Sequence, residues 1–278
     1  MGTPVVPVSL YRDEYVALFE QNFAMLKVGC VREIQIKGNT AVFLVSGSNG
    51  GVAVTRGSNG QIPYESPSNT QSSCTLVEKH APHEMTGFDL FANQGDQKTI
   101  MMKASQAKLN RDIDQAVIDQ LDTATVTTGS AAAASLDMVI KSRTKLGNAE
   151  VDLTDEDNMF AVVSPAFEGY LMQISEFASA DYVEIKPWAG AAKRMRRWGG
   201  LNWMVHPNLS GNGTSSEKCY MWHRFAVGHA ANSAEMQATA GYDAKQDVSW
   251  TRATLYHGAK MLQTTGVVQM VHDGSAYA

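Results

Sequence analysis

Ser164 is the residue whose position most suggests chemistry, because it lies between an apolar strand-like run and a helical pattern. A serine at such a turn is either the nucleophile of a hydrolase or the N-cap of the helix. A nucleophile elbow follows the pattern G-x-S-x-G, whereas Val162 and Ala166 occupy the two glycine positions here. Pro165 also lacks the backbone N–H that would form half of an oxyanion hole. The sequence therefore predicts that Ser164 is a structural cap and Pro165 the first helical residue.

The histidines do not form a recognisable catalytic or metal-binding pattern. Pro82 separates His80 from His83, whereas a helical zinc motif needs two histidines on one uninterrupted helical face. His223 and His229 flank a predicted strand and would share one face of it, but no acidic residue follows at a suitable spacing. No Gly-Lys dipeptide marks a phosphate loop. We therefore predict no catalytic residue, no metal and no cofactor, and a serine or metal hydrolase is the disfavoured alternative.

Charge and composition restrict the partners. The formal net charge of -5 argues against general binding to nucleic acid, whose affinity comes from Lys and Arg on phosphates. One basic run at residues 193–198, KRMRRW, could contact phosphate, but a surface loop that balances acidic neighbours is the preferred interpretation. The three widely spaced cysteines fit free thiols in a reducing compartment. No signal-peptide pattern and no apolar run near 20 residues occurs, so we expect no membrane contact.

Residues 9–27 predict a helix with a wide apolar face. The segment before it is too short to make a core, so this face is expected to dock on another part of the fold or on another chain. The candidate contact residues are Tyr15, Phe19 and Phe23.

Residues 39–80 alternate short β-branched runs with Gly, Asn, Ser and Pro, which predicts a long hairpin with a soft tip. Its apolar residues are too few to build a core, and a two-stranded arm is marginal alone. We expect this hairpin to lie across a neighbouring subunit. The candidate contact residues are Val52, Val54, Arg56, Ile62 and Tyr64.

The middle of the chain predicts two helices and a strand. Residues 96–121 repeat apolar side chains on one stripe without Gly or Pro, which predicts a helix of about 35 to 40 Å. Residues 136–148 predict a second helix with Gly147 as its C-cap. Residues 160–163 then form a buried strand before Ser164.

This order of parts resembles the major capsid proteins of tailed bacteriophages, the family with the Hong Kong 97 fold. The resemblance covers almost the whole chain and rests on order and length rather than on one specific motif. The segments that carry it after the long helix are VVSPAFEGYLM, RRWGGLNWMVHPNLSG, CYMWHRFAVGHA and VSWTRATLYHGAKMLQTTGVVQM.

The resemblance implies an α+β fold with five parts. They are an N-terminal arm at 1–38, an extended β-hairpin loop at 39–84, a peripheral domain with a long spine helix at 85–148, an axial domain at 149–250, and a return to the peripheral domain at 251–278. It implies self-assembly, through hexamers and pentamers, into the icosahedral head of a phage that packages double-stranded DNA without specific binding.

The resemblance also implies further partners and a location. Because this chain begins almost at the arm, a separate scaffolding protein is expected, together with portal and possible decoration proteins. The protein would be made in the bacterial host cytoplasm and reside in the virion. An encapsulin-type nanocompartment shell is the alternative within the same fold, although the Gly/Ser-rich loop at 46–73 favours the phage.

Overall fold

The computed structural model describes residues 23–34, 36, 38–47, 53–64, 66–92, 96–175, 194–233 and 236–277. The predicted N-terminal helix, with Tyr15 and Phe19, lies outside these residues except for its end. That end is a 3₁₀ turn at Leu26–Gly29. Within the described part of the chain, none of the helices combines the length and apolar character needed to cross a bilayer.

The described chain has four strands before its first helix, and most of its remaining strands follow the last helix. The helices are α1 (Gly87–Ala92), α2 (Gln97–Leu121), α3 (Leu136–Asn148) and α4 (Pro165–Met172). The strands are β1 (Val31–Ile34), β2 (Thr40–Gly47), β3 (Ser68–Thr75), β4 (Val77–Thr86), β5 (Met159–Val163), β6 (Arg196–Trp198), β7 (Leu201–Val205), β8 (Glu217–His223), β9 (Val227–Ala231), β10 (Gln237–Asp243), β11 (Val248–Met261) and β12 (Val267–His272).

The first sheet is built around the long strand β11. It has the order β1-β9-β11-β10, and β4 pairs with the opposite edge of β11. Helix α2 covers one face of this sheet, where Leu109 and Ile113 pack on Ala81, Ala253 and Leu255. The base of the β2–β3 hairpin covers the other face. The sheet is therefore a middle layer between the long helix and the hairpin.

The second sheet has the order β12-β8-β5-β7-β6. Strand β5 is parallel to β7, and the other pairs are antiparallel. Every residue of β5 is buried, as expected for a central strand covered on both faces. Its core holds large, fully buried side chains, including Trp222, Tyr220, Phe160 and Phe167. The end of α2 joins this core through Val117, Ile118 and Leu121.

The predicted long helix is confirmed at both ends. Asp96 is the N-cap, and its carboxylate accepts the backbone N–H of Thr99 at 3.2 Å. The helix then runs for 25 residues, about 38 Å at 1.5 Å per residue. Its middle packs on the first sheet and its end on the second core, so α2 is the element common to both.

The hairpin is confirmed, with two differences from the prediction. Its strands are β2 and β3, with Thr40 opposite Thr75 and Gly47 opposite Ser68. Residues 77–86 form β4 and pair with β11, so the hairpin ends at Thr75. Its base is also packed within its own subunit, because Ala41, Phe43 and Cys74 are buried beside Ala230. The expectation that the hairpin has no core contacts of its own is thus wrong for the base.

Helix α3 is confirmed over residues 136–148, but its predicted C-cap is wrong. Gly147 lies inside the last turn, and Ala149 is the C-cap. Glu150 takes the left-handed conformation, with φ of 59°, and Val151 donates its N–H to the carbonyl of Leu146 at 3.2 Å. A non-glycine residue therefore provides the reversal that usually requires glycine.

The chain passes from one sheet to the other in its last third. The predicted single strand CYMWHRFAVGHA is two strands in different sheets, because a 3₁₀ turn at Arg224–Ala226 separates β8 from β9. His223 and His229 therefore do not share a face. Strand β12 returns to the second sheet, where α3 also packs. The chain thus crosses between the two sheets twice after residue 220.

Candidate functional site

The N-cap role of Ser164 is confirmed by geometry. The Ser164 hydroxyl oxygen accepts the backbone N–H of Phe167 at 3.2 Å, and Pro165 begins helix α4. Glu168 lies in the first turn, where a carboxylate is favoured by the helix dipole. The local sequence is sufficient to produce this arrangement.

Ser164 also belongs to a buried polar cluster that the sequence did not indicate. Its hydroxyl lies 2.6 Å from Oε2 of Glu217 and 3.1 Å from Nε2 of His272. His272 Nε2 is 2.7 Å from the same Glu217 oxygen, and all three side chains are fully buried. Strands β8 and β12 are neighbours in the sheet, and Glu217 on β8 lies opposite His272 on β12. A serine, a histidine and an acid thus meet, as in a hydrolase.

The hydrogen-bond pattern is not that of a catalytic triad. In a triad the serine and the acid contact different nitrogens of the histidine, so the ring can relay a proton between them. Here both contact Nε2, while Nδ1 of His272 has no hydrogen-bond partner among the described residues. The carboxylate cannot donate, so Nε2 carries the ring proton and the serine hydroxyl donates to Glu217. His272 therefore cannot take the hydroxyl proton of Ser164, as the histidine of a triad does.

The cluster instead connects one helix and two strands around the second core. It connects the start of α4, strand β8 and the end of β12, and Oε1 of Glu217 accepts the backbone N–H of Gly213 at 2.5 Å. Burial lowers the pKa of His272, while the Glu217 carboxylate opposes that shift. A neutral, hydrogen-bonded histidine is the form that such burial favours. The arrangement stabilises the fold and offers no access to a substrate.

The remaining predicted chemical groups are also structural. His80 lies on the edge strand β4, with Nε2 2.8 Å from Glu78 and Nδ1 2.9 Å from the Thr254 hydroxyl. The cysteines Cys30, Cys74 and Cys219 are free, as predicted, and all three are buried. Burial raises the pKa of Cys30 and of Cys219 to about 12, so neither is a reactive thiolate. Within the described ranges, no group of three or more metal-ligating side chains is present.

The basic run forms part of a strand rather than a loop. Residues Arg196–Trp198 are the edge strand β6, and Lys193 lies outside the described residues. Arg196 pairs with Glu168 at 3.1 Å, and Arg197 pairs with Asp157. The prediction that this run balances acidic neighbours is confirmed, which leaves little free positive charge for phosphate.

The part of the hairpin beyond β2 and β3, here named the distal hairpin, exposes apolar side chains in its described residues 53–64. Tyr64 is 96% exposed, and Val54 and Ile62 are nearly half exposed. The segment nevertheless has a defined turn, because the Gly57 N–H donates to the Gln61 carbonyl at 2.8 Å. Arg56 donates to the Gly60 carbonyl at 3.2 Å across the same turn. Four of the predicted contact residues thus lie together around one turn, and Val52 lies outside the described residues.

A cleft lies between the hairpin and the body of the subunit. Its volume is about 500 Å³, and it includes the exposed side chains of Val42, Leu44 and Phe225. Val31, Glu33 and Leu262 form part of its other wall. Apolar side chains exposed together in this way mark contact surfaces more often than isolated ones do. This cleft could not be predicted from the sequence, because its walls come from four separated segments.

The N-terminal segment is anchored by a buried carboxylate on α2. Asp114 accepts the backbone N–H groups of Met25 at 3.0 Å and Leu26 at 2.9 Å, and Nε2 of His206 lies 3.3 Å away. Nδ1 of His206 accepts the N–H of Asn208, so Nε2 carries the proton toward Asp114. Phe23 lies under the Arg194 guanidinium, 3.4 Å from the ring centre. Phe23, a predicted contact residue, is thus half-buried against its own subunit.

The chain matches known capsid proteins in sequence profile and in structure. Residues 8–273 match the family described as phage capsid protein. A solved structure from Mycobacterium phage Che8 has a TM-score of 0.75 and 20% identity, covering 97% of this chain and 98% of that one. The capsid of the native GTA particle has a TM-score of 0.72 and 12% identity, covering 97% and 96%. The capsid of Ralstonia phage GP4 has a TM-score of 0.68 and 12% identity, covering 98% of each chain.

A search of the curated proteins by sequence finds no match. The profile match covers nearly the whole chain, and the structural matches show that the fold is that of solved phage capsid proteins. The predicted α+β fold class of Hong Kong 97 type is confirmed, and the encapsulin alternative is not favoured. The chain therefore belongs to the phage capsid protein family, as a major capsid protein of a phage shell.

Proposed function

We propose that this protein assembles, through hexamers and pentamers of identical chains, into a closed icosahedral phage head, and that it catalyses no reaction. The observation that carries this proposal is the distal hairpin, an ordered turn on which Tyr64 is almost fully exposed and Val54 and Ile62 are about half exposed, outside the buried clusters of the described residues. A two-stranded arm gains stability only when it lies on another surface. In a shell, that surface is a neighbouring copy.

The contact is proposed to involve Val54, Ile62 and Tyr64 of one copy, with Arg56 beside them. The cleft with Leu44 and Phe225 is a suitable apolar receptor on the neighbour. The turn and the cleft lie at different positions along the hairpin, so the contact is head-to-tail. Heterologous contacts of this kind close into rings, as a hexamer or pentamer requires.

The two sheets suggest a revised division of the subunit. The first sheet with α2 is proposed as the peripheral domain, and the second sheet with α3 and α4 as the axial domain. Residues 227–261 then belong to the peripheral domain and β12 to the axial domain. Helix α2 takes the place of the spine, because it contributes to both cores.

The partners are proposed from the role. A scaffolding protein, a portal and possible decoration proteins would act with the shell, and double-stranded DNA would be packaged without specific binding. The net charge of -5 supports this last point, because a wall that bound phosphate strongly would hinder packaging and ejection. Synthesis in the bacterial host cytoplasm and residence in the virion follow from the same proposal.

Replacement of residues 47–72 by a short Gly/Ser link tests the role of the hairpin. The variant keeps Ala41, Phe43 and Cys74, which form the packed base, so it should melt cooperatively like the parent. It should fail to form closed shells under conditions in which the parent assembles. A second variant replaces only Val54, Ile62 and Tyr64 by serine and keeps the strands, and it should also fail to form closed shells. Normal shells from both variants would contradict the proposal.

A further inference from the structure

Two glycines of the first sheet lie under the base of the hairpin. Gly228 on β9 faces the ring of Phe43, and a Cβ atom added there would meet ring atoms Cζ, Cε1 and Cε2 at 2.8 to 3.0 Å. Gly258 on β11 faces the other strand, where a Cβ would meet the Thr75 carbonyl oxygen at 2.7 Å and Cys74 Sγ at 2.9 Å. Real Cβ atoms do not approach so closely, so neither position accommodates a larger residue without displacement.

The two contacts lie side by side on one face of the sheet. Gly258 pairs with Ala230 and Lys260 with Gly228 in the β9–β11 register. Ala230 is fully buried and packs with Phe43 and Cys74 between the two glycines. The alternate residues His229 and His257 face α2 on the opposite side, as the side-chain alternation of strands requires. Gly228, Ala230 and Gly258 thus form a shallow surface, here named the glycine socket, that receives the hairpin base.

We propose that the glycine socket fixes the direction in which the hairpin leaves the subunit, and so determines where the exposed turn meets a neighbouring copy. Phe43 and Cys74 are diagonal neighbours across the hairpin, about 7 Å apart. A push of about 1 Å at Phe43 alone tilts the hairpin by about 8° on this separation. At Gly47, six strand residues beyond Ala41 and its partner Cys74, the tilt is a shift of about 3 Å. The shift grows toward the turn that carries Tyr64.

The inference rests on the proposed function, and Gly228→Ala tests it. The control is Gly241→Ala, because Gly241 also lies on a strand against an aromatic ring, with its Cβ position 2.6 Å from Trp250. Both variants should lose similar thermal stability. Only Gly228→Ala should cut the yield of closed shells, by at least half in electron micrographs. Equal yields from the two variants would overturn the inference and leave the shell proposal intact.

A second substitution separates hairpin direction from general damage. Leucine lacks the Cζ and Cε atoms that crowd Gly228, so Phe43→Leu combined with Gly228→Ala should restore closed shells. A double variant as defective as Gly228→Ala alone would contradict the socket. If Gly228→Ala does not fold, Phe43→Leu alone decides the question. It loosens the socket without a clash and should broaden the range of particle sizes, whereas parent-like particles would overturn the inference.

A measurement on the free subunit does not depend on shell formation. Nitroxide labels at Asn69→Cys on the hairpin and Asp119→Cys on α2 report the distance between hairpin and body by electron–electron double resonance. Both sites are exposed, and the three native cysteines are buried. Gly228→Ala should shift this distance by about 2 Å, and Gly241→Ala should not. An unchanged distance would refute the socket, while absence of shells from the parent protein would refute only the proposed function.

Discussion

His229 makes the stability of the subunit sensitive to acid. The ring is buried between β9 and α2, with a relative exposure of 5%. Its Nε2 has no hydrogen-bond partner among the described residues. Burial lowers the pKa of His229 to about 3, and the neighbouring His257, Arg32 and Lys27 shift it in the same direction. The ring of His257 lies 5.7 Å away, centre to centre. The folded protein therefore favours the neutral imidazole.

The sign and size of the effect follow from linkage. The unfolded chain binds a proton at a pKa of 6.5, whereas the folded chain does so at about 3. The stability that the neutral His229 ring contributes is thus complete above pH 6.5 and is lost as the pH falls toward 3. At pH 5, about 1.5 units below the unfolded pKa, protonation of the ring stabilises the unfolded state. The free energy of unfolding falls by about 2 kcal/mol as a result.

His229→Phe removes the titration and keeps a buried ring. We expect the loss of stability between pH 7 and pH 5 to be about 2 kcal/mol smaller in this variant than in the parent. Urea unfolding of the free subunit at both pH values, followed by tryptophan fluorescence, measures the difference. His80→Gln, at an exposed histidine of β4, is the control and should behave like the parent. An equal loss of stability in acid for the parent and His229→Phe would show that His229 is not the source of the acid sensitivity.

Three further predictions concern the caps, the anchor and the charge of the subunit. Ser164→Ala should lower the free energy of unfolding in urea by about 2 kcal/mol, because it removes both the helix cap and one donor to buried Glu217. The variant should still assemble. Loss of an activity at unchanged stability would contradict a purely structural role. Asp114→Asn should cost about 2 kcal/mol and make the chain before Leu26 more sensitive to limited proteolysis, whereas parent-like digestion would show that the carboxylate does not anchor this segment. The free subunit should bind duplex DNA more weakly than about 1 μM at physiological salt, and tighter binding in a fluorescence titration would point to Arg194 and its basic neighbours.

Local patterns predicted the elements that local forces determine. The N-cap at Ser164 and the long helix after Asp96 follow from side chains that act within one or two turns, and the structure confirms both. The C-cap at Gly147 was wrong because Glu150 provides the left-handed residue instead. A glycine near a helix end is common enough to suggest a cap without producing one.

The missed features depend on contacts between distant segments. Glu217 and His272 reach Ser164 across 53 and 108 residues, so no spacing rule could associate them. The glycine socket likewise joins β2 to β9 and β11, and single glycines inside strands gave no indication of what they face. The division of CYMWHRFAVGHA between two sheets depends on a three-residue turn whose effect appears only in the pairing of β8 and β9.

Electron microscopy of the purified protein shows whether the subunit assembles into a shell. The proposal predicts closed shells of uniform size, built from rings of five and six subunits, with each hairpin turn on a neighbouring copy. Nucleic acid extracted from native particles would further identify a phage head, whereas a protein cargo would indicate a nanocompartment. Protein that stays monomeric, with Tyr64 and the cleft open to solvent under all assembly conditions, would contradict the account.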